Sequence, residues 1–352
     1  MTIFELVTSQ QLASYWNELS QNNPPFLGET LFPSKKKLGL DLKWIKGSKG
    51  LPTELKLSSF DSKAIPRDRI GMDLVATKMP FFKESAYIDE ELRQELNKVL
   101  ETGNQAYIDD VMNRIFDTEK GLIESAAVSR ERMRMQLLST GVINIENNGQ
   151  AYTYDFGVSD DQKKTLTGTA MWSDLANSNP IQDLNTWAQD AEDRTGVKPT
   201  RAIMTRKTFN YIANNEKLAK SIFITNNGVG IVTDAMVMNA IKAMTGISIA
   251  IYNKKFAKVD GTVVSYFPDD VVTLLPEGNL GFTWFGTTPE ESDLQSGTAA
   301  NVSIVDNGVA ITTIKETDPV NVNTKVTQIS LPSFEQADKI VIATVAGTPA
   351  SV

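Results

Sequence analysis

The chain has 352 residues, 41 % apolar and 22 % charged, with a formal charge of −8; this is enough for two compact units plus extended appendages. It contains no cysteine and no histidine, which removes disulfides, thiolate nucleophiles, the usual metal ligands and the usual general base. The start, MTIFELVTSQQLASYWNEL, lacks the basic head and apolar core of a secretory signal, and no apolar run approaches the ~20 residues that span a bilayer, so a cytoplasm-like compartment is expected.

In chain order, Ile3 to Leu19 reads as a short helix ended by Asn22-Asn23-Pro24-Pro25, since proline lacks an amide hydrogen and restricts the residue before it. Phe26, Leu27, Leu31 and Phe32 follow outside any periodic element, as expected of an arm that packs onto something else. Leu38, Leu40, Leu42 and Trp44 then alternate with Gly39, Asp41 and Lys43, the period of a strand with one buried face. Gly47-Ser48-Lys49-Gly50 forms a tip, and Leu55 and Leu57 suggest the returning strand. A two-stranded ribbon is marginal in water on its own, so the apolar faces of residues 26–57 are expected to find cover on another copy.

Charge is uneven along this region. Residues 30–69 hold ten Lys/Arg against four acids, a surplus of six, which leaves −14 on the rest. A solvated basic loop, a nucleic-acid patch (Trp44 being the aromatic interleaved with the lysines) and attraction to the acidic body of a neighbouring copy all fit; the architecture favours the last.

Ile88, Leu92, Leu96 and Leu100 mark a helix closed by Gly103. Apolar spacing from Ile108 to Leu137 predicts a longer one over 105–139, roughly 50 Å at 1.5 Å per residue, with Gly121 inside it as the place for a bend. Asn147-Asn148-Gly149 is a hairpin turn between Val142–Ile145 and Tyr152–Phe156. The polar stretch 158–170 reads as an exposed loop. Asn179-Pro180 opens a helix that stops at Gly196. Strand 201–204, helices 207–213 and 234–245, and strands 247–252, 263–267, 271–274 and 281–285 describe one α/β unit with a mixed sheet over about 159–290. Beyond it, β-branched runs at 302–305, 309–314, 320–329 and 340–345 are expected to join the 88–140 helices in a second unit.

Chemical motifs are few. Gly228-Val229-Gly230 lacks the preceding strand of a phosphate loop. Asp109-Asp110 lies on a helix and Asp269-Asp270 in a turn after Pro268; adjacent helical residues do not face one another, so spacing alone makes no acid/base dyad. Asn301-Val302-Ser303 matches a glycosylation acceptor without a secretory context. No catalytic, cofactor or metal residues are assigned.

Certain motifs occur in a recognisable order: Pro25-Phe26-Leu27 with Leu31-Phe32; Trp172-Ser173, Asn179-Pro180 and Trp187-Ala188; Tyr266-Phe267-Pro268-Asp269-Asp270; Leu280-Gly281 and Trp284-Phe285-Gly286; Asp318-Pro319; Ser330-Leu331-Pro332, then Asp338 to Val345. In this order the chain resembles the lambda-type head protein E family of tailed-phage major capsid proteins, with the Hong Kong 97-like fold. The resemblance implies an α+β fold with an N-terminal arm (1–30), an extended E-loop β-ribbon (31–72), a peripheral domain (73–158 and 291–352) carrying the spine helix, and an axial domain (159–290). It implies no active site and no cofactor. It implies a homo-oligomer of hexamers and pentamers forming an icosahedral virion shell around double-stranded DNA, without sequence-specific binding and without a membrane, assembled in the bacterial host cytoplasm. Portal and scaffold proteins, and a decoration protein, are the implied partners. Inter-subunit contact candidates are Phe26, Leu27, Leu31, Phe32, Leu38, Leu40, Leu42, Trp44, Lys46, Lys49, Leu55 and Leu57. An encapsulin-like nanocompartment shell, and a hydrolase or glycan-binding protein, are the alternatives.

Overall fold

A computed structural model describes residues 3–20, 24–45, 74–88, 90–147, 149–222, 233–258, 260–294, 300–317 and 320–347. In chain order these form helices α1 (Ile3–Leu6), α2 (Ser9–Ser20) and α3 (Leu27–Leu31), then strands β1 (Ser34–Lys36), β2 (Asp41–Ile45), β3 (Leu74–Lys78) and β4 (Phe81–Tyr87). Helices α4 (Glu90–Thr102) and α5 (Gln105–Thr140) follow, then β5 (Val142–Asn147), β6 (Gln150–Asp155), β7 (Lys163–Thr165), α6 (Pro180–Thr195) and β8 (Arg201–Met204). Next come α7 (Arg206–Ala213), α8 (Glu216–Ile222), α9 (Asp234–Thr245), β9 (Ser248–Ile251), β10 (Lys255–Ala257), β11 (Val263–Ser265) and β12 (Val271–Leu275). The chain closes with β13 (Thr283–Phe285), β14 (Asn301–Val305), β15 (Val309–Thr317), β16 (Val320–Pro332) and β17 (Val341–Thr344).

Two compact units result. The first draws on Met1–Lys43, Ala76–Arg132 and Phe282–Ser333; the second, among the described residues, on Trp44–Val75, Met133–Gly281 and Phe334–Val352. The division falls inside α5, whose 36 residues run unbroken through Gly121.

The first unit is built on a six-stranded sheet in the order β1-β13-β16-β15-β14, with β4 also on β16. The 13-residue β16 pairs with β15 along one edge. Along the other it pairs first with β4 and then, over Ser330–Pro332, with β13. Period-two side chains Val309 and Ile311, and Val322 and Val326, share a core with Leu12 and Trp16 of α2 and with Val111, Ile115 and Ile123 of α5. The N-terminal helix is thus not docked elsewhere: it covers its own sheet, with Ser9 N–H donating to Thr313 Oγ1 at 3.3 Å and Trp16 Nε1–H to Asp306 Oδ1 at 3.1 Å. The β14–β15 turn puts Asp306 and Asn307 at φ 48° and 64°. Gly308 follows, where a Cβ would lie 2.6 Å from Phe285 Cβ, so no larger residue fits without displacing that ring.

The second unit centres on a five-stranded sheet, β7-β17-β12-β8-β9. β12 is buried at all five positions, as an inner strand covered on both faces should be. Leu184, Trp187, Ala188 and Ala191 of α6, Phe209 and Ile212 of α7, and Val237 and Ile241 of α9 pack on Ala202, Met204, Val272, Leu274, Val341 and Ala343. The N-terminus of α6 forms as the sequence indicates, Asn179 Oδ1 accepting from Gln182 N–H.

Strand partnership differs from expectation in four places. Residues 281–285 were assigned to the α/β sheet, but β13 joins the six-stranded sheet, zipped between β1 and β16. Residues 340–345 were grouped with the other tail strands, but β17 lies between β12 and β7. Both are short apolar strands whose sequence carries no partner information. β11 pairs with β10 as a separate hairpin. The polar stretch 158–170 contains β7, and Gln162 beside it is buried, donating to Ala337 O at 2.7 Å and Ile340 O at 2.9 Å.

Candidate assembly surfaces

Three contact candidates are covered by their own fold. Leu31 is 3 % exposed, Phe32 and Leu42 fully buried; the expectation that all apolar faces of 26–57 lack a home in their own chain fails for these three. The cause is local. Phe32 O accepts from Thr283 Oγ1 at 3.0 Å, Pro33 O from Thr283 N–H at 3.0 Å, and Phe285 O from Lys37 N–H at 2.8 Å, so the segment is stitched along β13. Upstream, the Gly28 N–H at the start of α3 donates to the fully buried Glu131 carboxylate at 3.1 Å. Phe26 and Leu27 are half-buried beside it.

Leu38 and Leu40 remain outside, 84 % and 49 % exposed. The alternation predicted through Trp44 breaks because residues 38–40 form a bend with Gly39 at φ 84°, and the strand begins only at Asp41. Leu40 O accepts from Met79 N–H at 3.0 Å, while Leu42 turns inward. β2 pairs with β3 as a two-stranded ribbon. The Trp44 side chain, Lys46, Lys49, Leu55 and Leu57 lie outside the described residues.

Two lysines of the basic segment are engaged at home. Lys35 Nζ sits 3.2 Å from the centre of the Phe282 ring and 5.5 Å from that of Trp284. Lys36 pairs with Glu291. The aromatic partners lie 247 or more positions away in sequence and could not have been read from local spacing.

Other exposed apolar side chains escaped sequence reading. In the first unit they include Phe81 and Tyr87 of β4, Tyr107 of α5 and Val320 of β16. In the second, Met236 and Met244 stand out on α9 and Val263 on β11. The signal for α9 was present: Met236, Ala240 and Met244 recur every four residues on one side, while Val237, Ile241 and Thr245 are buried on the other.

The paired acids prove to be of different kinds. Asp109 and Asp110 are exposed on α5. Asp269 and Asp270 fasten the turn into β12: Asp269 Oδ1 accepts from Thr205 Oγ1 at 2.5 Å, and Asp270 accepts from Lys207 Nζ at 2.8 Å and Tyr211 Oη at 2.9 Å. This fixes Asp270 at φ 64°, and the same contact raises the Lys207 pKa. Gly228-Val229-Gly230 lies outside the described residues. Among the described residues no cluster of three acidic side chains is placed to hold a metal ion, and no helix is long and apolar enough to cross a membrane.

The family described as phage major capsid protein E matches residues 8–345. No curated protein matches the chain in sequence. Among solved structures, a capsid protein of a prophage from E. coli CFT073 superposes with a TM-score of 0.61 at 15 % identity, covering 97 % of this chain and 99 % of its own. A phage-related protein from Bordetella bronchiseptica RB50 superposes with a TM-score of 0.57 at 15 % identity, covering 98 % and 99 %. At that identity the likeness is one of fold.

Proposed function

The chain belongs to the phage major capsid protein E family, a shell-forming capsid protein of Hong Kong 97-like fold, and from that premise we propose that it self-assembles into the icosahedral head enclosing the double-stranded DNA genome. The observation that carries this is the family match from residue 8 to 345, which runs through both structural units. In this proposal the six-stranded-sheet unit with α5 as its spine helix is the peripheral domain. The five-stranded-sheet unit is the axial domain, and residues 31–72 are the E-loop. In this proposal 282–290 go with the former, and 133–158 and 334–347 with the latter, following the two compact units. Hexamers and pentamers are the assembled form, made with scaffold and portal proteins in the bacterial host cytoplasm, with a decoration protein as a further partner. DNA is enclosed without sequence reading, and no catalytic step is assigned to the chain.

Physical support comes from where apolar surface remains. A shell needs heterologous contacts that repeat around symmetry axes, and both units keep large exposed apolar side chains after folding, Leu38 and Leu40 beside β2 and Met236 and Met244 on α9 among them. Replacing Leu38 and Leu40 together by Asp should leave the subunit's melting within about 0.5 kcal/mol of wild type, because surface changes away from packed features cost little. The same change should stop particle formation in sedimentation. Normal particles from that double variant would remove these leucines from the contact set.

A further inference from the structure

Glu119 of α5 is 1 % exposed, and its Oε2 has no hydrogen-bond partner. It opens onto a cleft of about 300 Å³ lined also by Tyr87 of β4, Glu91 and Glu95 of α4, and Arg114 and Thr118 of α5. Four cations on the surrounding elements are committed to other groups. Arg114 Nη1 lies 3.1 Å from both oxygens of Glu95, Arg93 binds Glu90 and Val320 O, and Lys120 sits 3.4 Å from Asp117 and 3.8 Å from Glu124. Lys325 faces the opposite side of β16, 2.8 Å from Glu290. From the sheet side the polar group that reaches the Glu119 carboxyl is the hydroxyl of Thr324 on β16, buried and with no other hydrogen-bond partner.

We propose that Glu119 is a proton-operated fastener between α5 and the six-stranded sheet: protonated, it gives its proton to a hydrogen bond with Thr324 Oγ1 and seats the helix; ionised, it draws water into the cleft and loosens α4 and α5. A buried carboxylate beside further acids and with no ion pair of its own among the described residues is costly, and neutralising it is the cheapest relief. Burial accordingly pushes the Glu119 carboxyl up to about 7, the Thr324 hydroxyl acting in the opposite direction. The folded chain therefore holds this proton more tightly than the unfolded chain. The stabilisation is complete below the ordinary glutamate range and fades as pH rises through about 7. The device belongs to the subunit fold and does not depend on what the subunit assembles into.

The test is thermal melting of the full chain between pH 5.5 and 8, as wild type and as Glu119→Gln, with Glu146→Gln, an exposed carboxylate on β5, as control. Wild type and Glu146→Gln should lose roughly 5 °C more across this range than Glu119→Gln, which keeps the neutral shape. Infrared spectra of wild type alone should show a buried neutral carboxylic acid at pH 6 that disappears by pH 8. Identical pH profiles for wild type and Glu119→Gln would overturn the proposal. So would absence of the neutral acid at pH 6, which is decided on wild type even if the variant does not fold.

Discussion

Trp172→Ala should destabilise the second unit by about 3–5 kcal/mol, the range for truncating a large buried aromatic. Trp172 is fully buried, lies against Trp187 with ring centres 6.0 Å apart and planes 19° apart, and donates from Nε1 to Asp183 Oδ2 at 2.9 Å. Its loss leaves a cavity and a half-buried carboxylate without its donor. Burial already raises the Asp183 pKa, and the Trp172 bond, with Lys217 behind it, offsets only part of that rise. Trp172→Phe, which fills most of the space but donates nothing, should cost about 1–3 kcal/mol. Urea unfolding of the three proteins separates the two contributions; equal stabilities for Phe and Ala would show that the hydrogen bond, not the packing, is what matters.

Arg130→Met should cost the first unit about 3 kcal/mol, in the range seen when one partner of a buried ion pair is removed. Arg130 is 2 % exposed, donates to Asp306 Oδ2 at 2.7 Å and to Gln328 Oε1 at 3.0 Å, and lies over the Phe285 ring at 5.4 Å. Asp306 also receives Trp16 Nε1–H, so one guanidinium links α5, α2 and the β14–β15 turn. Adding Asp306→Asn should recover part of the loss, since asparagine tolerates the left-handed backbone there and leaves no uncompensated charge. A double variant no better than Arg130→Met, by denaturant melts, would assign the effect to packing alone.

What the sequence showed well was whatever depends on neighbours along the chain. The 36-residue α5, α6 opened by Asn179-Pro180, the hairpin around Gly149 and the β-branched tail strands all lie within a few residues of where periodicity and turn chemistry put them. What it could not show depends on distant pairing. β13 and β17 are apolar strands of three and four residues that fit either sheet, and only the ladders to β1, β16, β12 and β7 decide. The contact candidates show the same limit. Leu38, Leu40 and Leu42 look alike in sequence, but the Gly39 bend sends two outward and one inward. Leu31 and Phe32 look like a loose arm until β13, some 250 positions later, closes over them.

The capsid assignment supplies a shell subunit, and the account adds a physical condition: a folded chain that keeps apolar surface on both units should not stay alone. Electron microscopy of the purified chain measures this directly. Closed shells, or hexameric and pentameric rings, are the expected result; a dispersed monomer at every concentration, folded and soluble, would contradict it.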